Sequence, residues 1–149
     1  MRLLHADARV AVFDKPSGLL VHRGWGDADV TAVELARAAV GDVFPVHRLD
    51  RATSGVLAFA RDAATARELH GAFEQHLVDK RYVALVRGAP PASGVVDHPI
   101  PRREGGPRVD AKTSFTTLEL LEVDWTADVD RDPRLPSRGA YAVVEARPE

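Results

Sequence analysis

Apolar residues in this 149-residue chain fall mainly into short runs that alternate with polar residues, and only two stretches have helical spacing. A period of two places alternate side chains on opposite faces and is typical of β-strands. Few of these runs have a helix between them. The pattern therefore predicts an α+β fold, with a mixed, largely antiparallel sheet and flanking helices. The predicted strands are Arg9–Phe13, Leu19–His22, Val43–Val46, Val56–Ala60, Arg81–Gly88, Val95–Ile100, Lys112–Val123 and Ala140–Ala146.

Two helices are predicted from residues that can cap their first turns. Thr31 and Glu34 have the spacing of a capping box, and the helix that they begin is expected to run through Val40. Asp62 is expected to cap a second helix over about 63–76, in which the apolar residues recur at helical spacing.

Length and composition narrow the class of protein. A chain of 149 residues is expected to form a single domain, and no run of residues is long and apolar enough to cross a membrane. It has no cysteine, its six histidines are scattered, and it contains no phosphate-binding loop, dinucleotide fingerprint or zinc-protease motif. We therefore expect a cytoplasmic protein without a metal site.

The charges are unevenly distributed although the net charge is only −2. Between residues 79 and 108 basic side chains predominate, and between 119 and 132 acidic ones do. A basic patch on a near-neutral chain can contact phosphates, but a solvated surface with patchy charge explains the pattern equally well. The basic residues are Lys80, Arg81, Arg87, Arg102, Arg103 and Arg108.

The polar segment 47–55, between two predicted strands, carries the chemistry of interest. Its sequence is H-R-L-D-R-A-T-S-G, so Asp50 has an arginine on each side, Arg48 and Arg51. Cationic neighbours favour the ionised carboxylate, which can act as a nucleophile or a base. From charge pattern alone, an ordinary charged turn is the better interpretation. A hydrolytic triad of His47, Asp50 and Ser54 is disfavoured because no nucleophile-elbow motif surrounds the serine.

This segment resembles the H-R-L-D-x-x-T-S-G signature of the RluA-type RNA pseudouridine synthases. Three further segments agree with that family in order and spacing, so the resemblance covers nearly the whole chain. The sequence of residues 15–25 is most similar to that of the tRNA branch that modifies uridine 65. The three segments are 14–22 (D-K-P-S-G-L-L-V-H), 80–88 (K-R-Y-V-A-L-V-R-G) and 109–115 (V-D-A-K-T-S-F).

The resemblance implies an enzyme that converts a specific uridine of structured RNA, with tRNA as the favoured class, into pseudouridine without a cofactor. Asp50 would be the essential carboxylate, either as nucleophile or as base. Arg48 would enter the stack where the target uridine is flipped out. Tyr82 would stack on the uracil and take the C5 proton, while Val83 and Leu85 pack inward. His47, Arg51 and Thr53 are weaker candidates for substrate binding, as loop supports or phosphate contacts.

The resemblance also raises alternatives. Family members continue beyond a strand like 141–149 with a T-G-R-x-H-Q-x-R motif, so we expect a single catalytic domain that is incomplete at its C-terminus and has no S4-type RNA-binding module. The missing arginine would pair with Asp50, which puts the activity of this chain in doubt. A noncatalytic RNA-binding module is therefore the alternative function, and a small-molecule lyase or hydrolase is a third.

Overall fold

The computed structural model describes residues 1–23, 30–101, 105–124 and 138–149. The described residues do not include Trp25, at the end of the segment 15–25, the basic residues Arg102 and Arg103, or most of the acidic segment 119–132. The described chain divides into two compact units, Met1–Val78 and Asp79–Glu149. Each unit is taken by itself below, and the single domain expected from length stays a prediction.

The first unit contains a four-stranded antiparallel sheet, in the order β1-β2-β4-β3, and two helices. The α+β prediction is confirmed, and the structure shows that β2 pairs with β4. Its elements are β1 (Arg2–Ala6), β2 (Val10–Lys15), α1 (Ala32–Val40), β3 (Phe44–Pro45), β4 (Gly55–Ala60) and α2 (Ala63–Glu74).

Alternation along β2 and β4 builds the core of this unit. Phe13 and Phe59 are almost fully buried, and their rings meet edge to face with centroids 5.9 Å apart. Aromatic pairs favour this geometry because the positive edge of one ring faces the negative face of the other. Ala60 of β4 and Val46, the residue after β3, pack with Ala66 of α2. The helix is thereby held against β4, next to the segment that follows β3.

Both helices begin at their predicted caps. The Thr31 hydroxyl accepts the Glu34 N–H while the Glu34 carboxylate accepts the Thr31 N–H, which is the expected capping box. Asp62 accepts the N–H of Thr65 at the start of α2. That helix ends at Glu74 rather than at the predicted residue 76, where His76 has a positive φ of 56°.

The predicted strand Leu19–His22 is wrong, apart from a single bridge between Leu20 and Thr31. The carbonyl oxygens of Leu20 and Val21 accept the N–H groups of Ala32 and Val33. Those amides open α1 and have no partner within the helix. The apolar run therefore supplies extended backbone whose carbonyl groups accept hydrogen bonds from the first turn of α1.

The second unit contains a second antiparallel sheet in the order β5-β10-β9-β6, with a two-stranded β7-β8 pair. Long alternation in the predicted strands at 112–123 and 140–146 is confirmed, and both strands extend further than predicted. The run 95–100 is divided between two strands. The elements are β5 (Tyr82–Arg87), β6 (Ser93–Asp97), β7 (Ile100–Pro101), β8 (Arg108–Val109), β9 (Lys112–Asp124) and β10 (Arg138–Pro148).

No helix within the described ranges is long and apolar enough to span a lipid bilayer.

Replacing Thr31 with alanine is expected to lower the free energy of unfolding by about 1 kcal/mol, since the first turn of α1 then loses its side-chain acceptor. Urea unfolding followed by circular dichroism measures the change. Thr31→Ser, which keeps the hydroxyl, is the matched control and should retain most of the stability. Equal losses in the two variants would show that the methyl group, not the cap, matters.

Asp7 gives the first unit a pH dependence in acid. Its carboxylate accepts the N–H groups of Val10 and Arg9, both at 2.7 Å, and these bonds lower its pKa from 3.8 to about 2. The unfolded chain therefore binds this proton first as the pH falls. The stabilisation is complete above the unfolded pKa of 3.8 and is lost as the pH approaches 2.

We expect Asp7→Asn, which keeps an acceptor but does not titrate, to lose less stability than the unaltered chain between pH 4 and pH 2, a range that brackets the two pKa values. Urea unfolding of both proteins at several pH values in this range measures the difference. Parallel pH dependences would contradict the assignment to Asp7.

Candidate active site

The segment 47–54 leaves the sheet at the end of β3 and returns into β4. Its side chains alternate, so that Leu49 is buried while Arg48 and Asp50 point to solvent. The Asp50 carboxylate is 84% exposed, and its Oδ1 lies 3.9 Å from Nη2 of Arg48. An exposed pair at this distance contributes little to stability. Both groups are therefore available to a ligand.

Lys15, at the end of β2, is fully buried beneath this segment. Its Nζ donates to the carbonyl oxygens of Pro16 at 3.0 Å, Leu19 at 2.7 Å and Arg51 at 3.3 Å. Burial lowers the pKa of Lys15, and the negative charge of Asp50 opposes that shift. The ammonium thus joins the turn after β2 to the residue that follows Asp50.

A second set of bonds joins the same two loops. Gly18 N–H donates to the Arg51 carbonyl at 2.7 Å, and Arg51 Nε donates to the Gly18 carbonyl at 3.0 Å. The Ser17 hydroxyl donates to the carbonyl of Ala52 at 2.7 Å. Gly18 has a φ of +87°, which favours glycine and lets its backbone approach Arg51 on both sides. The K-P-S-G segment, residues 15–18, therefore holds the loop that carries Asp50 in place through these hydrogen bonds.

Two other predicted site residues lie on the inner side of the loop. His47 is half-buried, its Nε2 accepts the N–H of Ala58 at 3.0 Å, and its ring stacks on Phe73. Thr53 is half-buried, and its N–H closes a turn on the carbonyl of Asp50 at 3.1 Å. The structure thus brings His47, Arg48, Asp50, Arg51 and Thr53 together on one connection.

Tyr82 lies on β5 in the second unit, and the predicted facing of that strand is wrong. Val83 and Leu85 are 72% and 64% exposed, while Tyr82 is half-buried. Tyr82 shares its face with Ala84 and Val86, which are paired across the strands with Val144 and Ala142 of β10. Those two residues are buried, so this face is the inner one. The alternation along β5 predicts which residues share a face, but it does not indicate which of the two faces is covered.

Lys15 is the residue of this site that the sequence interpretation missed. The resemblance of segment 14–22 to the family does not by itself indicate a role for this lysine. A signal was present, because Ala11, Phe13 and Lys15 alternate on the inner face of β2. A lysine at an inward position needs acceptors, since a buried charge without them is costly.

Within the described ranges, no group of three or more histidine, cysteine, aspartate or glutamate side chains is placed to hold a metal ion. The cationic groups around Asp50 are the exposed guanidinium of Arg48 and the buried ammonium of Lys15, and the three hydrogen bonds of the ammonium go to carbonyl oxygens of the protein itself.

Comparison with known proteins identifies the family. The sequence profile described as RNA pseudouridylate synthase matches residues 9–149, and the chain belongs to this family. The resemblance drawn from the motifs is thereby confirmed. Relatives include the tRNA pseudouridine synthase C of Haemophilus ducreyi, 45% identical over 101 residues, or 66% of this chain and 42% of that protein. The Haemophilus influenzae protein of the same name is 34% identical over 140 residues, or 85% and 59%. The chain therefore spans about half the length of these relatives.

Solved structures agree on the fold. Human RNA pseudouridylate synthase domain containing 4 has a TM-score of 0.69 at 26% identity, and the match covers 99% of this chain and 58% of that one. Human RNA pseudouridylate synthase domain containing 1 has a TM-score of 0.74 over the same shares, and at 19% identity it supports the fold alone.

Replacing Lys15 with methionine is expected to lower the free energy of unfolding by roughly 1–3 kcal/mol, since three partly buried hydrogen bonds to carbonyl oxygens are lost. Amide exchange at residues 49–52 should also accelerate. Urea unfolding and hydrogen-exchange mass spectrometry measure the two effects. Lys112→Met, at an exposed position, is the matched control. A Lys15 variant as stable as this control would contradict the conclusion that Lys15 holds the Asp50 loop in place.

Proposed function

We propose that this chain forms the catalytic part of a pseudouridine synthase that isomerises a uridine in structured RNA, with tRNA as the favoured substrate. Family membership supports the reaction class, and the printed names of the relatives support tRNA. The branch resemblance favours uridine 65 as the target. The observation that carries the proposal is an exposed carboxylate, Asp50, on a backbone that is held at the next residue.

The reaction needs little beyond such a carboxylate. The C1′–N1 bond of the uridine breaks, the base turns, and a C1′–C5 bond forms, while C5 loses a proton and N1 gains one. The ionised Asp50 either attacks C1′ or removes a proton from the sugar. Both routes need the carboxylate fixed close to the ribose, and fixed charges lower a barrier more than mobile ones do.

The other site residues take supporting roles in this proposal. The side chain of Arg48 is 70% exposed beside Asp50, which suits a group that fills the space of a flipped base. Arg51 is exposed and cationic, although its Nε is used by Gly18, so its remaining N–H groups suit a phosphate. Tyr82 is proposed, from the family resemblance, to stack on the uracil and take the C5 proton.

Asp50→Asn is expected to lower turnover by about 10²–10⁴-fold, because an amide can serve neither as base nor as nucleophile. Tritium release from C5-labelled uridine in tRNA measures turnover, and filter binding at two salt concentrations measures affinity, which should be unchanged. Asp42→Asn, at an exposed position, is the matched control. Because the relatives are longer, the assay is run on this chain and on the full product of its reading frame.

The possible outcomes separate the candidate functions. Label release that survives Asp50→Asn would refute the role of this carboxylate. Salt-sensitive tRNA binding without label release, in this chain and in the full product of its reading frame, would favour the noncatalytic RNA-binding module. Turnover of a small molecule without RNA would favour a lyase or hydrolase.

A further inference from the structure

The pairing between β3 and β4 stops before β4 does. Phe44 pairs with Ala60 and Pro45 with Phe59, and β3 ends there. The next N–H that β4 presents toward this side is that of Ala58, and its acceptor is Nε2 of His47 at 3.0 Å. A backbone N–H inside a folded chain needs an acceptor. The imidazole nitrogen therefore stands where a backbone carbonyl of a longer β3 would stand.

The ring of His47 is held from the other side by α2. Its centroid lies 4.7 Å from that of Phe73, and the ring planes are 21° apart. Phe73 itself packs on the cluster of Val46, Ala60 and Ala66. Two independent contacts, one polar and one apolar, thus fix a single side chain between the sheet and the helix.

His47 also stands three residues before Asp50, where the chain leaves the sheet. The residues between them include Leu49, which is buried, so the backbone has little freedom on this side of the carboxylate. Lys15 and Gly18 hold the other side through the carbonyl of Arg51. On the side before Asp50, the His47 bond adds to the contact between His70 Nε2 and the carbonyl oxygen of Pro45, at 3.2 Å.

We propose that His47 is a positioning residue for Asp50: its imidazole replaces the missing carbonyl of β3, holds the N–H of Ala58 and sets where the catalytic loop begins. This assignment rests on the proposed function, because it concerns turnover by Asp50. It differs from a substrate contact, since the Nε2 atom is already occupied within the protein.

The required state of the ring is the neutral one, with Nε2 free to accept and the proton on Nδ1. Burial lowers the pKa of His47 and so favours this state. The β4 strand, Gly55–Ala60, carries no titratable side chain. On α2, the titratable residues within one turn of Phe73 are His70 and Glu74. On the loop that follows His47, the charged residues nearest to it are Arg48 and Asp50.

The test compares two replacements. His47→Phe keeps an aromatic ring for Phe73 but removes the acceptor, and His47→Gln brings an amide oxygen toward the position of Nε2. We expect His47→Phe to lower kcat for label release from tRNA by about 10²-fold with KM unchanged, because a small displacement of a catalytic group has an effect of this size. His47→Gln should recover most of the loss. His5→Phe, at an exposed position, is the control.

A spectroscopic measurement tests the bond itself. In the unaltered protein, a through-bond ¹⁵N–¹⁵N coupling should connect the Ala58 amide with Nε2 of His47, and absence of the coupling would overturn the assignment. Full kcat in His47→Phe would also overturn it, as would a rise in KM with kcat unchanged, which indicates a substrate contact. Should His47→Phe fail to fold, a kcat in His47→Gln as low as that of Asp50→Asn would do the same.

The two proposals fail differently. Absence of turnover in the unaltered chain and in the full product of its reading frame contradicts the proposed function, and the positioning role falls with it. Turnover that depends on Asp50 but not on His47 contradicts the positioning role alone.

Discussion

The buried ammonium of Lys15 is the interaction on which the geometry of the candidate site depends. Taking a charge out of water is costly, and the cost is offset here by three carbonyl oxygens and by the nearby negative charge of Asp50. Two of the acceptors lie in the turn after β2, and the third belongs to Arg51. Satisfying the ammonium therefore requires that the two loops stay together. The hydrogen bonds that allow the ammonium to be buried therefore also determine where the loop lies.

This arrangement separates the holding of Asp50 from its exposure. The backbone on one side is tied through Arg51, and on the other it is anchored by the buried Leu49, yet the carboxylate itself remains in water. Electrostatic catalysis favours charges that do not have to reorganise when the substrate reacts. An exposed group on a fixed backbone can meet a substrate that approaches from solvent, as the proposed RNA would, without opening the protein. The adjacent guanidinium of Arg48 supplies positive charge where a polyanion would arrive.

The sequence predicted what depends on neighbours along the chain. The caps at Thr31 and Asp62 are local hydrogen-bonding patterns, and both helices begin where those residues indicate. Strand β1 was missed because Arg2–Ala6 is exposed throughout and does not alternate. The facing of Tyr82 was also beyond local pattern, since β10 decides which side of β5 is covered. The acceptors of Lys15 come from two separate segments of the chain, and no spacing rule predicts that Arg51 is one of them.

The nine-residue signature combines both kinds of information, and the structure explains why it is more specific than a charged turn. From 47 to 50, the side chains alternate as in a strand: His47 and Leu49 face the protein, and Arg48 and Asp50 face solvent. A turn does follow, closed by the Thr53 N–H on the carbonyl of Asp50, so the simpler interpretation described the backbone correctly. What it omitted is that Leu49 is buried and that His47 contacts both β4 and α2. Packing and backbone hydrogen bonding constrain the residue types at the inner positions. Within the described residues, the outer positions have no such contacts to keep, so their side chains can serve the proposed chemistry. Because inner and outer positions alternate along one short segment, a backbone shift that disturbs the packing of His47 or Leu49 would also move Arg48 and Asp50.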